Sequence, residues 1–333
     1  MANRFIGKLS RLACGSLISA GLALVAPMAQ AQSNWPTRAI KIVVPYAPGG
    51  STDITARLVA KSLSQELGQT VLVENKGGAG GTPGTANFAR SALDDHSFLM
   101  VTQSQLAINQ FLFKDKLGYD PVADLQPVGL VAQTTNVMVV PNSLPVKTFA
   151  EFVAYAKAHP GKLSYSSAGV GSTGHLTNEL LKTKLGLDIV HVPYRGNGPA
   201  MQAVLSGQVQ LNIDNMPQLV AQVKAGRVRP LAVTTSKRWF QLPDVPTVDE
   251  LGYPDLKTTV WFALMAHSGQ SKESIAKMNT ALNKVLRDPE FAARLKDQSL
   301  EPTPSTPQDV LTLAESDRRK WKTVVETSGA TLD

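Results

Sequence analysis

The chain has 333 residues, with 33 Lys and Arg against 26 Asp and Glu, for a formal charge of +7. Its 43% hydrophobic share is that of a globular protein and excludes wholesale disorder. The length has room for about two domains of roughly 100–200 residues each, and a single cysteine excludes a disulfide framework or a multi-cysteine metal site.

Residues 1–31 read as an export signal. Arg4, Lys8 and Arg11 make a positive start, and no Asp or Glu occurs before residue 32. Leu12 to Ala26 is uncharged and mostly apolar, and Ala29-Gln30-Ala31 supplies the small-x-small pattern of a cleavage site. Cleavage is expected after Ala31. The apolar run is shorter than the roughly 20 residues that span a bilayer. Cys14 precedes that run, whereas a lipidated cysteine should follow it. Cleavage removes Cys14 and three basic residues but no acidic ones, so the charge falls from +7 to +4. Without basic blocks, that charge is no nucleic-acid footprint. A soluble exported protein is expected.

Residues 38–45 read as a strand, followed by Ala47-Pro48-Gly49-Gly50 and a helix from about Thr52 to Leu67. Ile54, Leu58, Val59 and Leu63 keep helical spacing, and Gly68 suits the position just past the helix end. A strand at 70–74, a Gly-rich loop, a helix near 83–92 opened by Pro83 and a strand near 98–102 follow. This alternation points to parallel βαβ units. Residues 126–140 hold two apolar runs with little room for a helix between them. A second alternation then takes helices at 148–158, 174–185, 198–205 and 217–225 and strands at 163–166, 189–193, 209–213 and 230–234. An apolar strand at 258–266 and helices at 271–287, 289–297 and 307–326 complete the chain. No repeat of 20–50 residues is present. The pattern reads as two doubly wound α/β lobes joined by crossing strands near 126–140 and 230–266, with a ligand cleft between them. Lobe 1 is expected to comprise 32–131 plus 237–333, and lobe 2 to comprise 132–236.

Three loops carry the chemistry. In Gly49-Gly50-Ser51-Thr52-Asp53 the glycines admit a ligand to the backbone, and the helix start offers free amides to an anion. A plain capped turn is an equal reading, and Asp53 suits a structural cap, because a carboxylate beside an anion site repels what the amides attract. Asn75 to Gly81 has four glycines in five residues, with Lys76 reading as a surface charge. No Gly-Lys-Ser/Thr follows, which excludes a Walker loop. Gly169-Val170-Gly171-Ser172-Thr173-Gly174-His175 matches the dinucleotide fingerprint in form. Asp188, however, lies too close behind it, and an exported chain has no ready nicotinamide supply, so an anion site is retained instead.

No catalytic constellation is present. There is no G-x-S-x-G elbow and no H-E-x-x-H, and His96, His159, His175, His191 and His267 show no metal-ligand spacing. His175 is the one histidine to place near a ligand, with packing or capping equally open. Asp214 ends a strand on the cleft side, where it can meet a ligand amine or begin a turn, the turn being slightly favoured. Trp239, Trp261 and Trp321 sit in apolar contexts and belong to the core. No cofactor or metal is expected.

The stretches TRAIKIVVPYAPGGSTDITAR, VENKGGAGGTPG, YSSAGVGSTGHL and VPYRGNGPAMQAVLSGQVQL, in this order behind a signal peptide, resemble the Bug family of periplasmic solute-binding proteins, relatives of the tripartite tricarboxylate transporter receptors. The resemblance extends over the mature chain, with Tyr46 standing where the family often has Phe. It implies a type II periplasmic-binding-protein fold that closes on a small carboxylate or dicarboxylate and delivers it to a tripartite tricarboxylate-type permease, and it implies no enzyme. Carried over by motif, the ligand-binding residues are Tyr46, Gly49, Gly50, Ser51, Thr52 and Asp53 of lobe 1 and Gly171, Ser172, Thr173, His175, Tyr194 and Asp214 of lobe 2; Ser104 is expected to join them. Arg195 and Gly196 continue the Tyr194 motif. A monomer is expected. A sensor for a membrane receptor and a secreted hydrolase using Ser172 and His175 are the competing readings.

Overall fold

The computed structural model describes residues 35–328 and 330; the expected signal peptide and its cleavage point lie outside them. Strand β1 (Ile40–Val44) leads into α1 (Ser51–Leu67), whose end is closed by Gly68 in the left-handed conformation. Then come β2 (Val71–Asn75), α2 (Thr82–Ala89) and β3 (Ser97–Thr102), and β1 lies parallel between β2 and β3. After β3 the chain makes a π turn, Ser104–Ile108, and a short helix α3 (Asn109–Phe113).

The two apolar runs of 126–140 form one continuous strand, β4 (Leu125–Pro141). Its apolar residues are buried along nearly the whole length, as expected of a strand covered on both faces. Helix α4 (Phe149–Ala158), β5 (Leu163–Ser167), α5 (Thr173–Leu185), β6 (Ile189–Pro193), α6 (Asn197–Leu205), β7 (Leu211–Asn215), α7 (Met216–Lys224) and β8 (Val228–Val233) realise the second alternation. The chain then returns through β9 (Thr259–His267), α8 (Lys272–Arg287), α9 (Pro289–Asp297), β10 (Glu301–Pro302) and α10 (Pro307–Ser328).

Strand β4 belongs to two half-sheets. Its first part, Leu125–Thr135, pairs antiparallel with β9, which itself pairs with β3, giving the order β2-β1-β3-β9-β4. From Asn136 onward the partners become β7 and β8, and the sheet continues β4-β7-β5-β6. Register shifts at Pro127/Gly129, Leu130/Ala132 and Met138/Val139 bend the strand. The crossing is pinned by polar contacts. The Asn136 amide donates to Thr234 Oγ1 (3.2 Å), Thr234 N–H returns a bond to Asn136 O (3.0 Å), and Asn136 Nδ2 donates to Thr258 Oγ1 (3.0 Å). The result is an α/β architecture of two half-sheets that share β4.

Three apolar clusters fill the layers. One lies between β1, α1, α8 and β9, a second extends from β3 and α10 to β5 and α5, and a third packs α6 and α7 on β4 and β8. Trp239, Trp261 and Trp321 are all in the core as expected. No helix among the described residues is long and apolar enough to cross a membrane.

Candidate functional site

Ser51 and Thr173, both singled out in sequence, meet through Asn215 at the seam between the two half-sheets. Helix α1 starts at Ser51 after the loop 45–50 that follows β1, in which Gly49 takes a positive φ (+85°) and turns the chain sharply. On the facing side α5, α6 and α7 begin at Thr173, Asn197 and Met216. The starts touch one another. Asn215 Nδ2 donates to Ser51 Oγ (2.8 Å), Thr173 Oγ1 donates to Asn215 Oδ1 (3.4 Å), and a Cβ on Gly50 would sit 3.1 Å from Asn197 Oδ1. The α1, α6 and α7 starts carry no side-chain cap. Their unsatisfied N–H groups and the positive ends of their dipoles therefore favour an anion at the seam. No Lys or Arg is buried among the described residues, so any such attraction comes from dipoles and hydrogen bonds.

Asp53 is a structural hub. Its carboxylate accepts from Gly49 N–H (3.0 Å), Arg57 Nε (3.0 Å) and Asn75 Nδ2 (3.0 Å). Burial pushes its pKa up, but the bonds from Arg57, Gly49 and Asn75 outweigh that and leave it below the usual carboxylate range. Its side chain ties the loop between β1 and α1 to Arg57 and Asn75 and caps no amide of α1. Thr52 is buried beside it.

Tyr46 is buried, with its phenol donating to Gly80 O (3.2 Å) and accepting from Gln105 Nε2 (2.8 Å). Burial raises its pKa, so it stays neutral. Asn109 Nδ2 also donates to Gly80 O (3.2 Å) and to Thr82 Oγ1 (2.9 Å). Ser104, at the start of the π turn, is buried with no partner for its hydroxyl. Such a turn presents its side chains out of helical phase, which explains why periodicity cannot find Gln105.

In the opposite half, Ser172 caps α5, its Oγ accepting from His175 N–H (3.2 Å). His175 Nδ1 accepts from Gly171 N–H (3.3 Å), which puts the ring proton on Nε2. Burial drives its pKa down to about 4, helped by Lys182. The ring stacks on His191 at 4.3 Å, and His191 in turn stacks on Tyr165 at 4.7 Å. Ser172 and His175 thus meet through a backbone N–H and not through the ring, so they do not form a nucleophile–base pair. Gly171 has φ +82°, and a Cβ there would come within 2.5 Å of Asn109 Oδ1 across the seam. Tyr194 is half-buried against the third apolar cluster, and its backbone N–H donates to Ser167 O (3.0 Å).

Asp214 does not begin a turn; it lies inside β7 and is 1% exposed. Asn197 Nδ2 and Asn215 N–H both donate to its Oδ1, the latter at 2.8 Å, while Oδ2 has no partner. Burial raises its pKa to about 6 against the lowering influence of Asn197, Asn215, Gln218 and Asn212 around it. Asn197 and Asn215 were not singled out in sequence, although both immediately precede a helix. Lys76 is on the surface, bonded to Asn87 Oδ1 (2.9 Å), as expected. No group of three His, Cys, Asp or Glu among the described residues is placed to hold a metal.

Residues 55–330 match the model of the tripartite tricarboxylate transporter family receptor. The chain belongs to this family. It is 35% identical over 300 residues to protein BugT of Bordetella pertussis, covering 90% of this chain and 92% of that one. Among solved structures, it resembles the R. palustris protein solved with adipate, with a TM-score of 0.86, 37% identity and coverage of 89% and 99% of the two chains. The periplasmic binding protein BugD is similar at a TM-score of 0.86 and 34% identity, with the same coverage. The receptor family is one of solute binding, and the Bug resemblance read from the four sequence motifs holds.

Proposed function

We propose that this receptor captures a small carboxylate or dicarboxylate in the periplasm by lobe closure and hands it to a permease of the tripartite tricarboxylate type. The observation that carries the reading is the convergence of the α1, α5, α6 and α7 starts on one buried seam without a buried Lys or Arg. Adipate in a solved relative supports a dicarboxylate. In this reading the ligand carboxylate takes the amides of Ser51, Thr52 and Asp53 on one side and those near Gly171 and Thr173 on the other. Ser104, Tyr46 and Asp214 line the space between, while Ser172, His175 and Tyr194 shape it from behind.

The proposed lobes divide at Thr135/Asn136, four residues beyond the expected boundary, because the partners of β4 change there. Closure then rotates one half-sheet on the other about Asn136, Thr234 and Thr258. Ligand shifts the balance by its differential affinity for the closed form.

A thermal-shift screen with acetate, malate, adipate, benzoate and citrate tests this reading. A rise in melting temperature that grows with ligand concentration is expected for at least one carboxylate. A flat response across the panel refutes it.

A further inference from the structure

Asp214 is the anomaly of the seam. It is a fully buried carboxylate at the spot where helix starts would hold a ligand's negative charge. Its Oδ1 is anchored by Asn197 and Asn215, and Oδ2 is left without a partner. An isolated buried carboxylate with a vacant oxygen is costly unless dipoles or a proton neutralise it. The same helix dipoles that would bind a ligand anion are the ones that sustain the Asp214 charge. Two anions on this seam would share dipoles that satisfy one.

We propose that Asp214 takes up a proton from solvent when a carboxylate is enclosed, so that the seam carries one negative charge before and after binding. This rests on the carboxylate reading above. The protonated Oδ2 then becomes a donor towards the ligand, while Oδ1 keeps accepting from Asn197 and Asn215. The ionised side chain thus holds the place of the ligand's own charge in the empty protein.

Few other groups near Asp214 can take up this proton in its place. Helix α1 brings Ser51, Thr52 and Asp53, and the Asp53 carboxylate is turned to Gly49, Arg57 and Asn75. Helix α6 brings Asn197, α7 brings Gln218, and β7 itself brings Asn212 and Asn215, none of them titratable. Tyr46, across the seam, is already protonated and stays so, its pKa being raised by burial. Helix α5 brings His175, neutral and held down to about 4, which is the one rival acceptor. Asp214, raised to about 6, is the better placed to load near neutrality.

The test is calorimetry with malate and adipate in buffers of different ionisation enthalpy, between about pH 6.5 and 8.5. Uptake approaching one proton per ligand is expected, with affinity falling up to about tenfold per pH unit as pH rises. In Asp214→Asn the uptake and the pH slope should both vanish. Binding without proton uptake overturns the proposal and leaves the carboxylate reading standing. Uptake that persists in Asp214→Asn also overturns it and assigns the proton to His175. Absence of binding by either acid, in a protein that also ignores the wider panel, overturns both. Should Asp214→Asn fail to fold, infrared difference spectra of the wild-type protein decide: a protonated-carboxyl C=O band must appear on adding ligand, and its absence refutes the proposal.

Discussion

Asn215 Nδ2 donates to Ser51 Oγ at 2.8 Å across the seam, joining residues 164 positions apart in the chain. One sits at the start of α1 and the other just before α7, so the bond exists only when the two half-sheets face each other closely. Its loss should favour separation. In Ser51→Ala the carboxylate affinity is expected to fall about 3- to 10-fold, from a bond of roughly 0.5–1.5 kcal/mol. Calorimetry checks this, and an unchanged affinity would show that the bond adds nothing to closure.

A methyl group can block the same approach without touching any hydrogen bond. Gly80 has φ +60°, and a Cβ there would run into the Val170 carbonyl oxygen of the facing loop. Gly80→Ala should therefore lower folding stability by only about 1–2 kcal/mol, the cost of a left-handed L-residue. Ligand binding should drop by about tenfold or more, since the Gly80 and Val170 loops must part. Comparable modest losses in both measurements would contradict the steric argument.

Asp53 is expected to matter for stability at neutral pH. Asp53→Asn weakens the contacts from Gly49, Arg57 and Asn75, at about 1–3 kcal/mol by denaturant titration. The sign with pH follows from its lowered pKa. Its contribution is present above the unfolded value of about 4 and is lost as pH falls through the lower folded value. The gap between wild type and variant should accordingly close in acid; a gap that widens there refutes the role.

The stacked histidines act in a higher window. His191 is held down to about 3 by burial, with His175 adding to it, and Ser167 Oγ lies 2.6 Å from its Nε2. Unfolding lets the ring bind a proton that the native state refuses. Stability should thus fall as pH drops from about 6.5 towards 3, by up to about 1.4 kcal/mol per unit for this ring. His191→Phe retains an aromatic ring between Tyr165 and His175 and removes this term, so its melting temperature should depend less steeply on acid. An identical slope in the variant would assign the acid sensitivity elsewhere.

Much of the architecture is legible in sequence because apolar period and turn residues report local conformation. Pro83 in the first turn of α2 and Gly68 beyond α1 mark helix limits that the backbone then adopts. The merging of PVGLVA and NVMVV into one strand is not legible, since a bend by register shift leaves no compositional mark. Ser51, Gly171 and Asp214 could be named from motif. Gln105, Asn109, Asn197 and Asn215 could not, because each acts through a partner from a distant segment. The slight preference for a turn at Asp214 fails for the same reason: what holds it in β7 is the pairing with Val137 of β4.

Strand β9 lies between β3 and β4, yet its residues 259–267 follow the entire second half-sheet in the chain. A polypeptide assembling from its N-terminus therefore has β3 and the first part of β4 waiting with bare edges until this late segment inserts. Those edges are long and apolar, the kind that recruit strands from other molecules. The first half of the protein is consequently its last to be sealed. A product truncated before Thr259 would keep a complete β8-β4-β7-β5-β6 sheet beside an adhesive, unfinished one.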